Sequence, residues 1–255
     1  MKKGKNIRDG IILAAGLGSR LNNSDLKTTI KPLANVESIT LLVRTINSLE
    51  VAGCRRAVIV LGWKAEQVKK QITTRYKGPL ELVFVYNKNY RLKNGISVLC
   101  ARPFITREYI LTMADHILDD DIMYRIRDHH PPEGGATLCV DYKLDTIFDM
   151  DDATKVQTLE SRIIKIGKEL SEFNCIDTGV FIGTEGLMGA IEEVYNKKGD
   201  SSLSDGVQLL AQRGLMEALD IKNSFWQDVD NMDMLLHAEK LLRWSSKKLK
   251  KAALN

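Results

Sequence analysis

The sequence predicts an α/β protein with a mixed, mostly parallel central sheet, helices on both faces of that sheet and a smaller β-rich part. Strand-like and helix-like segments alternate through the first 130 residues, the arrangement typical of a doubly wound sheet. The first of these strands runs directly into a glycine-rich turn at residues 16–18. After a second turn at residues 131–135, closely spaced strands replace the regular alternation.

Each element of the first part follows from an apolar run or from a helical spacing of apolar residues. The predicted strands are residues 10–14, 57–61, 80–86 and 109–113, and the predicted helices are residues 38–52, 65–76, 96–101 and 120–129. Ligands of such sheets bind beyond the carboxyl ends of the strands. The glycine-rich turn and Asp115, which follow two of these strands, should therefore meet in one crevice.

The second part carries strand signals at residues 136–140, 154–159, 163–166 and 176–182, and helix signals at residues 184–196 and 204–212. No long flexible linker separates it from the first part. We therefore predict one domain over residues 1–238, with halves at 1–130 and 131–238, followed by a basic C-terminal helix at 239–255.

The composition limits the class of protein. With 255 residues, 44% of them hydrophobic, the chain can bury one sizeable core. It has no apolar stretch of about 20 residues and no apolar segment after the N-terminal lysines, so we expect a cytoplasmic protein. Four cysteines occur without paired spacing, and we interpret them as small buried hydrophobic residues: Cys54, Cys100, Cys139 and Cys175.

The net charge of +4 is unevenly distributed. Residues 239–255 contain six lysines and arginines against one glutamate, so the rest of the chain is close to neutral. Nucleic-acid binding needs cations spread over a broad surface, and this distribution argues against it. The basic segment also interleaves leucines and Trp244 with its lysines, a pattern that suits either a helix packed on the body or one lying on an anionic membrane.

The glycine-rich turn suits phosphate. Gly16 and Gly18 let the backbone approach an oxyanion, and successive N–H groups can form an anion nest there. Arg20 would add a bidentate charge and Lys31 a mobile one. The dinucleotide-binding fingerprint needs a third glycine where Leu21 stands, and the ATPase phosphate loop needs a Gly-Lys-Ser/Thr sequence that the chain lacks, so both are excluded.

Two carboxylate-bearing segments are candidates for a metal site. Asp115 follows the strand at residues 109–113, where it could hold Mg²⁺ or simply cap the strand end. Asp228 and Asp230 precede the final helix; either could complete the metal site, and either could instead be a helix N-cap. The neighbouring His116 is a poor ligand for Mg²⁺, and we expect a positioning or structural role for it.

The Gly-x-Gly-Ser-Arg loop, with Lys31-Pro32-Leu33 a short distance later, resembles the signature of the sugar-phosphate nucleotidylyltransferases, which have a Rossmann-like nucleotidyltransferase fold. Further segments are similar to the CTP:inositol-1-phosphate cytidylyltransferases of di-myo-inositol phosphate synthesis; they are residues 94–98, 111–116, 153–156, 163–168 and 176–181. Bacterial phosphocholine cytidylyltransferases share part of the pattern. The resemblance covers nearly the whole chain.

The resemblance implies transfer of the cytidylyl group of CTP to inositol-1-phosphate with Mg²⁺ as cofactor, and phosphocholine or a sugar phosphate as the alternative acceptor. A phosphate acceptor is already ionised near neutral pH, so no general base is needed. Close relatives are joined to a membrane-embedded CDP-alcohol phosphotransferase, which makes such a partner, at the cytoplasmic face of the membrane, a further expectation. The alternative from another class is a nucleotide-sensing module without catalysis.

The resemblance also implies roles for individual residues, with residues 1–130 as the nucleotide-binding half and 131–238 as the acceptor-binding half. Lys31 and Arg20 would stabilise the reacting phosphate, and Asp115 and Asp230 would hold Mg²⁺. The implied nucleotide-binding residues are Leu13, Ala14, Ala15, Gly16, Gly18, Ser19, Asn94 and Ser97. The implied acceptor-binding residues are Lys155, Lys168, Asp177 and Thr178. Many relatives have Pro-Lys where this chain has Ile30-Lys31, which leaves Lys27 as an alternative to Lys31.

Overall fold

The computed structural model of the chain describes residues 8–18 and 30–252, with side chains up to residue 244. Its strands are β1 (Asp9–Ala14), β2 (Asn35–Val36), β3 (Ile39–Thr40), β4 (Arg56–Leu61), β5 (Glu81–Tyr86), β6 (Tyr109–Met113), β7 (His116–Leu118), β8 (Ala136–Asp141), β9 (Lys155–Leu159), β10 (Arg162–Gly167), β11 (Cys175–Gly183), β12 (Met216–Asp220) and β13 (Trp226–Asp228). Its α-helices are α1 (Leu41–Val51), α2 (Ala65–Arg75), α3 (Gly95–Ala101), α4 (Asp120–Arg127), α5 (Glu185–Lys198), α6 (Leu203–Gln212) and α7 (Met232–Ala252).

One large sheet organises the molecule, with the strand order β5-β4-β1-β6-β11-β8-β12-β10-β9. Strands β5, β4, β1 and β6 are parallel to one another, and β8 is parallel to β12. Strand β11 runs antiparallel to both β6 and β8, so it joins the two parts of the sheet. The carboxyl ends of β1 and β6 consequently lie side by side at one edge of the sheet, as predicted for the glycine-rich turn and Asp115 that follow them.

The core lies on both faces of this sheet because alternate residues of each strand point in opposite directions. In β1, Ile11 and Leu13 belong to the core cluster that includes residues of α3, α5 and α6, whereas Ile12 and Ala14 belong to the cluster that includes residues of α1, α2 and α4. Since β1 is buried on both faces, its sequence is a continuous apolar run rather than an alternating one. The first strand is therefore rigidly held where it meets the glycine turn.

The predicted fold class is confirmed, and the predicted elements of both halves are present with ends that differ by at most three residues. The helix predicted from residue 38 begins at Leu41, because residues 39–40 instead pair with β2 and Thr40 caps the helix by accepting a hydrogen bond from the Val43 N–H at 3.4 Å. Residues 239–252 of the segment predicted as a basic helix form the C-terminal part of a longer helix, α7, that begins at Met232.

Several short elements were not predicted, above all the two-stranded ribbon formed by β7 and β13. Three-residue strands carry too little sequence pattern to be recognised. The four cysteines are free, with Cys54, Cys139 and Cys175 buried and Cys100 half-buried, as expected for hydrophobic filling residues. Within residues 8–18 and 30–252, none of the helices is both long and apolar enough to cross a membrane.

Candidate active site

The glycine turn lines a narrow cleft of about 190 Å³ at the carboxyl end of β1. Leu13, Ala14, Gly16 and Gly18 form one wall, and Lys31, Asp115 and Asp230 face them. Gly18 has a φ of +61°, and a Cβ there would come within 2.9 Å of the Lys31 Cβ. A glycine is therefore needed at position 18 for both its backbone conformation and its close approach to the lysine.

Lys31 opens a short 3₁₀-helix, Lys31–Leu33, and its side chain extends into the cleft. Its ammonium contacts Asp115 and lies 2.5 Å from Asp230 Oδ1, and the side chain is only 12% exposed. Burial alone lowers the pKa of Lys31, but the two carboxylates outweigh burial and raise that pKa above its ordinary value. The lysine is thus held charged between two carboxylates.

The β7–β13 ribbon brings these two carboxylates together. Asp115 comes immediately before β7, and Asp230 comes two residues after β13. The antiparallel register pairs His116 with Asp228, and the Val229 N–H donates to the Asp115 carbonyl oxygen at 3.0 Å. Asp115 and Asp230 are therefore neighbours because of backbone pairing, although they belong to distant parts of the sequence.

Asp115 is engaged through both carboxylate oxygens. Oδ2 contacts Lys31, and Oδ1 lies 2.7 Å from Nδ1 of His116. Burial alone would raise the pKa of Asp115, but the Lys31 charge and the His116 hydrogen bond together hold it well below its usual range. The carboxylate consequently stays ionised throughout the physiological pH range.

Asp228 and Asp230 do not occupy equivalent positions. Asp230 touches Lys31 and lines the cleft, whereas Asp228 accepts a hydrogen bond from Gln227 Nε2 on its Oδ1 at 3.1 Å and lines the large cavity but not the cleft. Burial raises the pKa of Asp228. Of the two alternatives, Asp230 therefore has the geometry to share a cation with Asp115.

A second, larger cavity of about 470 Å³ adjoins the cleft, and Asp230 lines both. Its wall nearest the cleft contains His116, Gly179 and Asp228. Carboxylates and aromatic side chains line the remainder, including Asp141, Asp149, Asp152, Phe148, Phe225 and Trp226. A group bound in the large cavity can thus reach the same carboxylate as a group bound in the cleft.

The predicted acceptor residues divide into two that line this cavity and two that do not. Lys168 lines it and pairs with Asp152 at 2.5 Å. Asp177 also lines it; burial raises its pKa to about 6, against the opposing hydrogen bond from the Gly179 N–H. Lys155 instead donates to the Asp151 carbonyl oxygen at 3.3 Å, outside the cavity lining.

Thr178 does not line the cavity. Its side chain is fully buried, and its hydroxyl donates to the Cys139 carbonyl oxygen at 2.8 Å. Strand alternation places it on the face of β11 opposite to Asp177, so in this structure its hydroxyl contacts the backbone of β8 rather than the cavity.

The predicted nucleotide-binding residues are also divided. Asn94 lines the large cavity, and its side-chain oxygen accepts from the Leu203 N–H at 2.9 Å. Ser97 is buried and accepts from Asn87 Nδ2 at 2.9 Å, so its hydroxyl is already engaged and lines neither cavity. Ala15 lies beside the cleft and accepts a backbone hydrogen bond from Trp63 at 3.2 Å. Ser19, Arg20 and the alternative lysine, Lys27, lie outside the described residues.

A polar network that lines the large cavity was not predicted from the sequence. Asp141 is buried; its Oδ1 accepts from Lys143 Nζ at 2.6 Å and its Oδ2 accepts from Trp226 Nε1 at 3.0 Å. Asp141 ends β8 just as Asp115 follows β6, so the same strand-end rule could have found it. No local sequence signal identifies Trp226, because its partners come from other strands.

The cleft fits a magnesium ion by the chemistry of its donors. Two carboxylates from separate segments converge on a buried ammonium, which occupies a position suited to a cation. Within the described residues, the structure has no group of three or more histidine, cysteine or acidic side chains placed to hold a metal. Mg²⁺ commonly takes one or two protein carboxylates and completes its shell with phosphate oxygens and water, so a pair is sufficient.

A doubly wound sheet that presents a glycine turn to a lysine and two carboxylates defines the class of the nucleotidyltransferases. A family model described as the MobA-like NTP transferase domain matches residues 10–219. The chain belongs to this family.

Individual proteins similar to this chain include two transferases from bacteria and one solved structure. The chain is 31% identical, over 94% of its length, to the bifunctional IPC transferase and DIPP synthase of Rubrobacter xylanophilus, and it covers 54% of that protein. It is 32% identical, over 65% of its length, to the 2-aminoethylphosphonate cytidylyltransferase of Lancefieldella rimae, of which it covers 64%. The solved inositol-1-phosphate CTP transferase from T. maritima superimposes with a TM-score of 0.79 at 25% identity, covering 92% of this chain and 96% of that one.

These comparisons confirm the resemblance indicated by the glycine loop and the lysine motif. The chain spans about half the length of the bifunctional relatives that it matches.

Proposed function

We propose that this protein transfers the cytidylyl group of CTP to inositol-1-phosphate, forming CDP-inositol and pyrophosphate. The observation that carries the proposal is that Asp230 lines both the glycine-turn cleft and the larger cavity, with Lys31 beside it. A nucleotide in the cleft and an acceptor in the cavity would meet at that point. The names of the bifunctional relatives and of the T. maritima structure support the choice of CTP and inositol-1-phosphate.

The reaction is a direct displacement at the α-phosphorus of CTP. An oxygen of the acceptor phosphate forms the new P–O bond, and the bond between the α-phosphorus and the bridging oxygen breaks as pyrophosphate leaves. The acceptor phosphate is largely ionised near pH 7, so no side chain has to remove a proton. Catalysis then depends on positioning and on stabilising negative charge.

Lys31 supplies the charge at the reacting centre. In the described structure its ammonium is held at the junction of the two cavities, within reach of a phosphate bound over Gly16 and Gly18. The backbone of the turn would bind the triphosphate, and Ser19 and Arg20 would extend this binding from the segment that follows. Leu13, Ala14 and Ala15 would border the nucleoside.

Members of this class generally use a divalent metal. Asp115 and Asp230 would hold Mg²⁺ here, and the bound ion would neutralise charge on the phosphate oxygens. Asp115 is suited to this role because Lys31 and His116 keep it ionised. Asp230 is suited because it faces both substrates' cavities.

The large cavity is suited to a polyol phosphate. Carboxylates such as Asp177 and Asp228 accept hydrogen bonds from hydroxyl groups. The two lysines that line the cavity within the described residues, Lys143 and Lys168, are each paired with an aspartate. The acceptor's phosphate would lie next to Lys31, because it has to reach the α-phosphorus of a nucleotide bound in the cleft, and its hydroxyl groups would lie in the acidic part of the cavity.

Product formation tests the proposal. The purified protein should release pyrophosphate from CTP in the presence of inositol-1-phosphate and Mg²⁺, and the product should have the mass of CDP-inositol. CTP binding without any pyrophosphate release, over a panel of phosphorylated acceptors, would refute catalysis and favour a nucleotide-sensing module.

An aminoalkyl phosphate or phosphonate is the second candidate acceptor. The cavity combines aromatic rings, Phe148 and Trp226, with several aspartates, a lining that also suits an ammonium group. The similarity to a 2-aminoethylphosphonate cytidylyltransferase supports this alternative, as does the phosphocholine-type pattern in the sequence. Competition between inositol-1-phosphate, phosphocholine and 2-aminoethylphosphonate, measured as kcat/KM for each, decides between them.

The C-terminal helix is proposed to face a membrane-bound partner that consumes the product. Leu236 and Trp244 are exposed on α7, and the segment from residue 239 is strongly basic. The bifunctional relatives are about twice as long as the part that this chain matches. Deleting residues 245–255 should abolish co-sedimentation with anionic vesicles; unchanged co-sedimentation would refute a lipid-facing role.

A further inference from the structure

His116 lies between the two cavities of the site. Its ring lines the large cavity, and its Nδ1 lies 2.7 Å from the Asp115 carboxylate in the cleft. An ionised carboxylate can only accept a hydrogen bond, so Nδ1 must carry the proton. This bond occupies Oδ1 of Asp115 and leaves Oδ2 facing Lys31.

The ring is held in this orientation on two sides. It stacks on Trp226, with ring centroids 5.9 Å apart and an angle of 19° between the planes. On the other side it packs against Gly179, where a Cβ would come within 2.6 Å of Nε2. Gly179 also has a φ of +73°, so no other residue is accommodated there without strain. The site is therefore built closely around one position of the imidazole.

Trp226 is itself held by a hydrogen bond to another residue that lines the large cavity. Its indole N–H donates to Asp141 Oδ2 at 3.0 Å, and Asp141 is almost fully buried. A continuous set of contacts thus runs from the Asp141 carboxylate through Trp226 and His116 to Asp115. Each member except Asp115 lines the large cavity.

We propose that His116 is a positioning residue that fixes the Asp115 carboxylate for the cation in the cleft, and that Trp226 and Asp141 fix His116 in turn. The proposal takes the identity of the reaction from the proposed function. Its main measurement, metal binding to the substrate-free protein, does not depend on that function. Groups that hydrogen-bond a metal-binding carboxylate typically affect metal affinity or activity by about 10- to 100-fold, which is the effect expected here.

Two matched variants separate positioning from packing. His116→Asn places an amide N–H near the position of Nδ1, whereas His116→Gln places its amide near Nε2, away from Asp115. Mn²⁺ binding to the substrate-free protein, measured by the loss of the free-ion electron paramagnetic resonance signal, is the primary readout. We expect near-normal affinity for the Asn variant and a loss of about 10- to 100-fold for the Gln variant.

Kinetics provide the second readout. The Gln variant should need a higher Mg²⁺ concentration for half-maximal rate than the Asn variant, and it should show a lower kcat. Trp226→Phe keeps a stacking ring but loses the bond to Asp141, and it should show a smaller change in the same direction. This variant also serves if a change at position 116 prevents folding.

Equal Mn²⁺ affinities in the wild type and in the Asn and Gln variants would overturn the proposal, and so would equal losses in both variants. A difference between Asn and Gln in Mn²⁺ binding, found in a protein that forms no CDP-inositol, would support the positioning role and refute the proposed function alone.

Discussion

The backbone N–H of Val229 donates a 3.0 Å hydrogen bond to the carbonyl oxygen of Asp115. This bond extends the β7–β13 ribbon by one step beyond the His116–Asp228 pair. It places the next residue, Asp230, beside the Asp115 carboxylate, with Lys31 between them. The central feature of the site is therefore assembled by main-chain pairing.

Replacing Lys31 with alanine should lower kcat by about 10²- to 10³-fold, because a preorganised charge next to the reacting phosphate is removed. The Kd for CTP should change little, since the glycine turn and the segment after it remain. Single-turnover rates and equilibrium binding of CTP measure the two quantities separately. Turnover close to that of the wild type would show that the reaction does not need Lys31 and would favour Lys27 in its place.

Replacing Lys31 with methionine should strengthen divalent-cation binding in the substrate-free protein. The ammonium lies between the two carboxylates and competes with a metal ion for them. Its removal leaves two partly buried carboxylates unneutralised, which should lower the free energy of unfolding by about 3 kcal/mol in the absence of metal. Added Mg²⁺ should recover more stability in this variant than in the wild type.

Lys197→Met is the matched control for this experiment, because Lys197 is exposed, pairs with Glu193 on α5, and neither residue lines the cleft or the large cavity. Its thermal stability should respond to Mg²⁺ as the wild type does. If Lys31→Met gains no more from Mg²⁺ than the control, the lysine and the metal do not share the carboxylate pair.

The two aspartates after β13 should behave differently when each is changed to asparagine. Asp230→Asn should lower kcat by about 100-fold and raise the Mg²⁺ requirement, because Asp230 contacts Lys31 and lines both cavities. Asp228→Asn should mainly raise the KM for the acceptor, because Asp228 faces the large cavity. Steady-state kinetics with varied Mg²⁺ and varied acceptor distinguish these effects; the reverse pattern would assign the metal to Asp228.

The part of the site predictable from sequence is the part encoded by contiguous motifs. The run from Ile11 to Gly18 specifies both a buried strand and the turn that ends it, so the cleft wall could be placed without a structure. Asp115 followed from the same rule at the end of β6. In each case a strong local pattern and a general property of parallel sheets were sufficient.

The remaining part depends on pairing between distant segments. Whether Asp228 or Asp230 contacts Lys31 is decided by the register of a ribbon whose strands have three residues each, and a shift of two residues would place Asp228 where Asp230 now stands. Thr178 and its neighbour Asp177 were both predicted to bind the acceptor, but only Asp177 lines the cavity, because alternation along β11 turns the threonine inward. Sequence proximity alone could not separate these two residues.

Asp177 should make the stability of the protein depend on pH. Burial raises its folded-state pKa to about 6 from an ordinary value of 3.8, so ionisation costs more in the folded protein than in the unfolded chain. This cost is absent at pH values below the ordinary pKa, grows as the pH rises, and is complete above the folded pKa. Asp177→Asn keeps the acceptor for the Gly179 N–H but cannot ionise. Relative to the wild type, it should gain about 1–3 kcal/mol in the free energy of unfolding between about pH 4 and pH 7.5, as measured by urea denaturation.

Glu193→Gln is the control, and its effect on the free energy of unfolding should have the opposite sign. Hydrogen bonds from Lys197 and Arg213 lower the pKa of Glu193 to about 2, which confines its pH effect to a more acidic range. A difference between Asp177→Asn and the wild type that stays constant with pH would show that Asp177 does not ionise in this range.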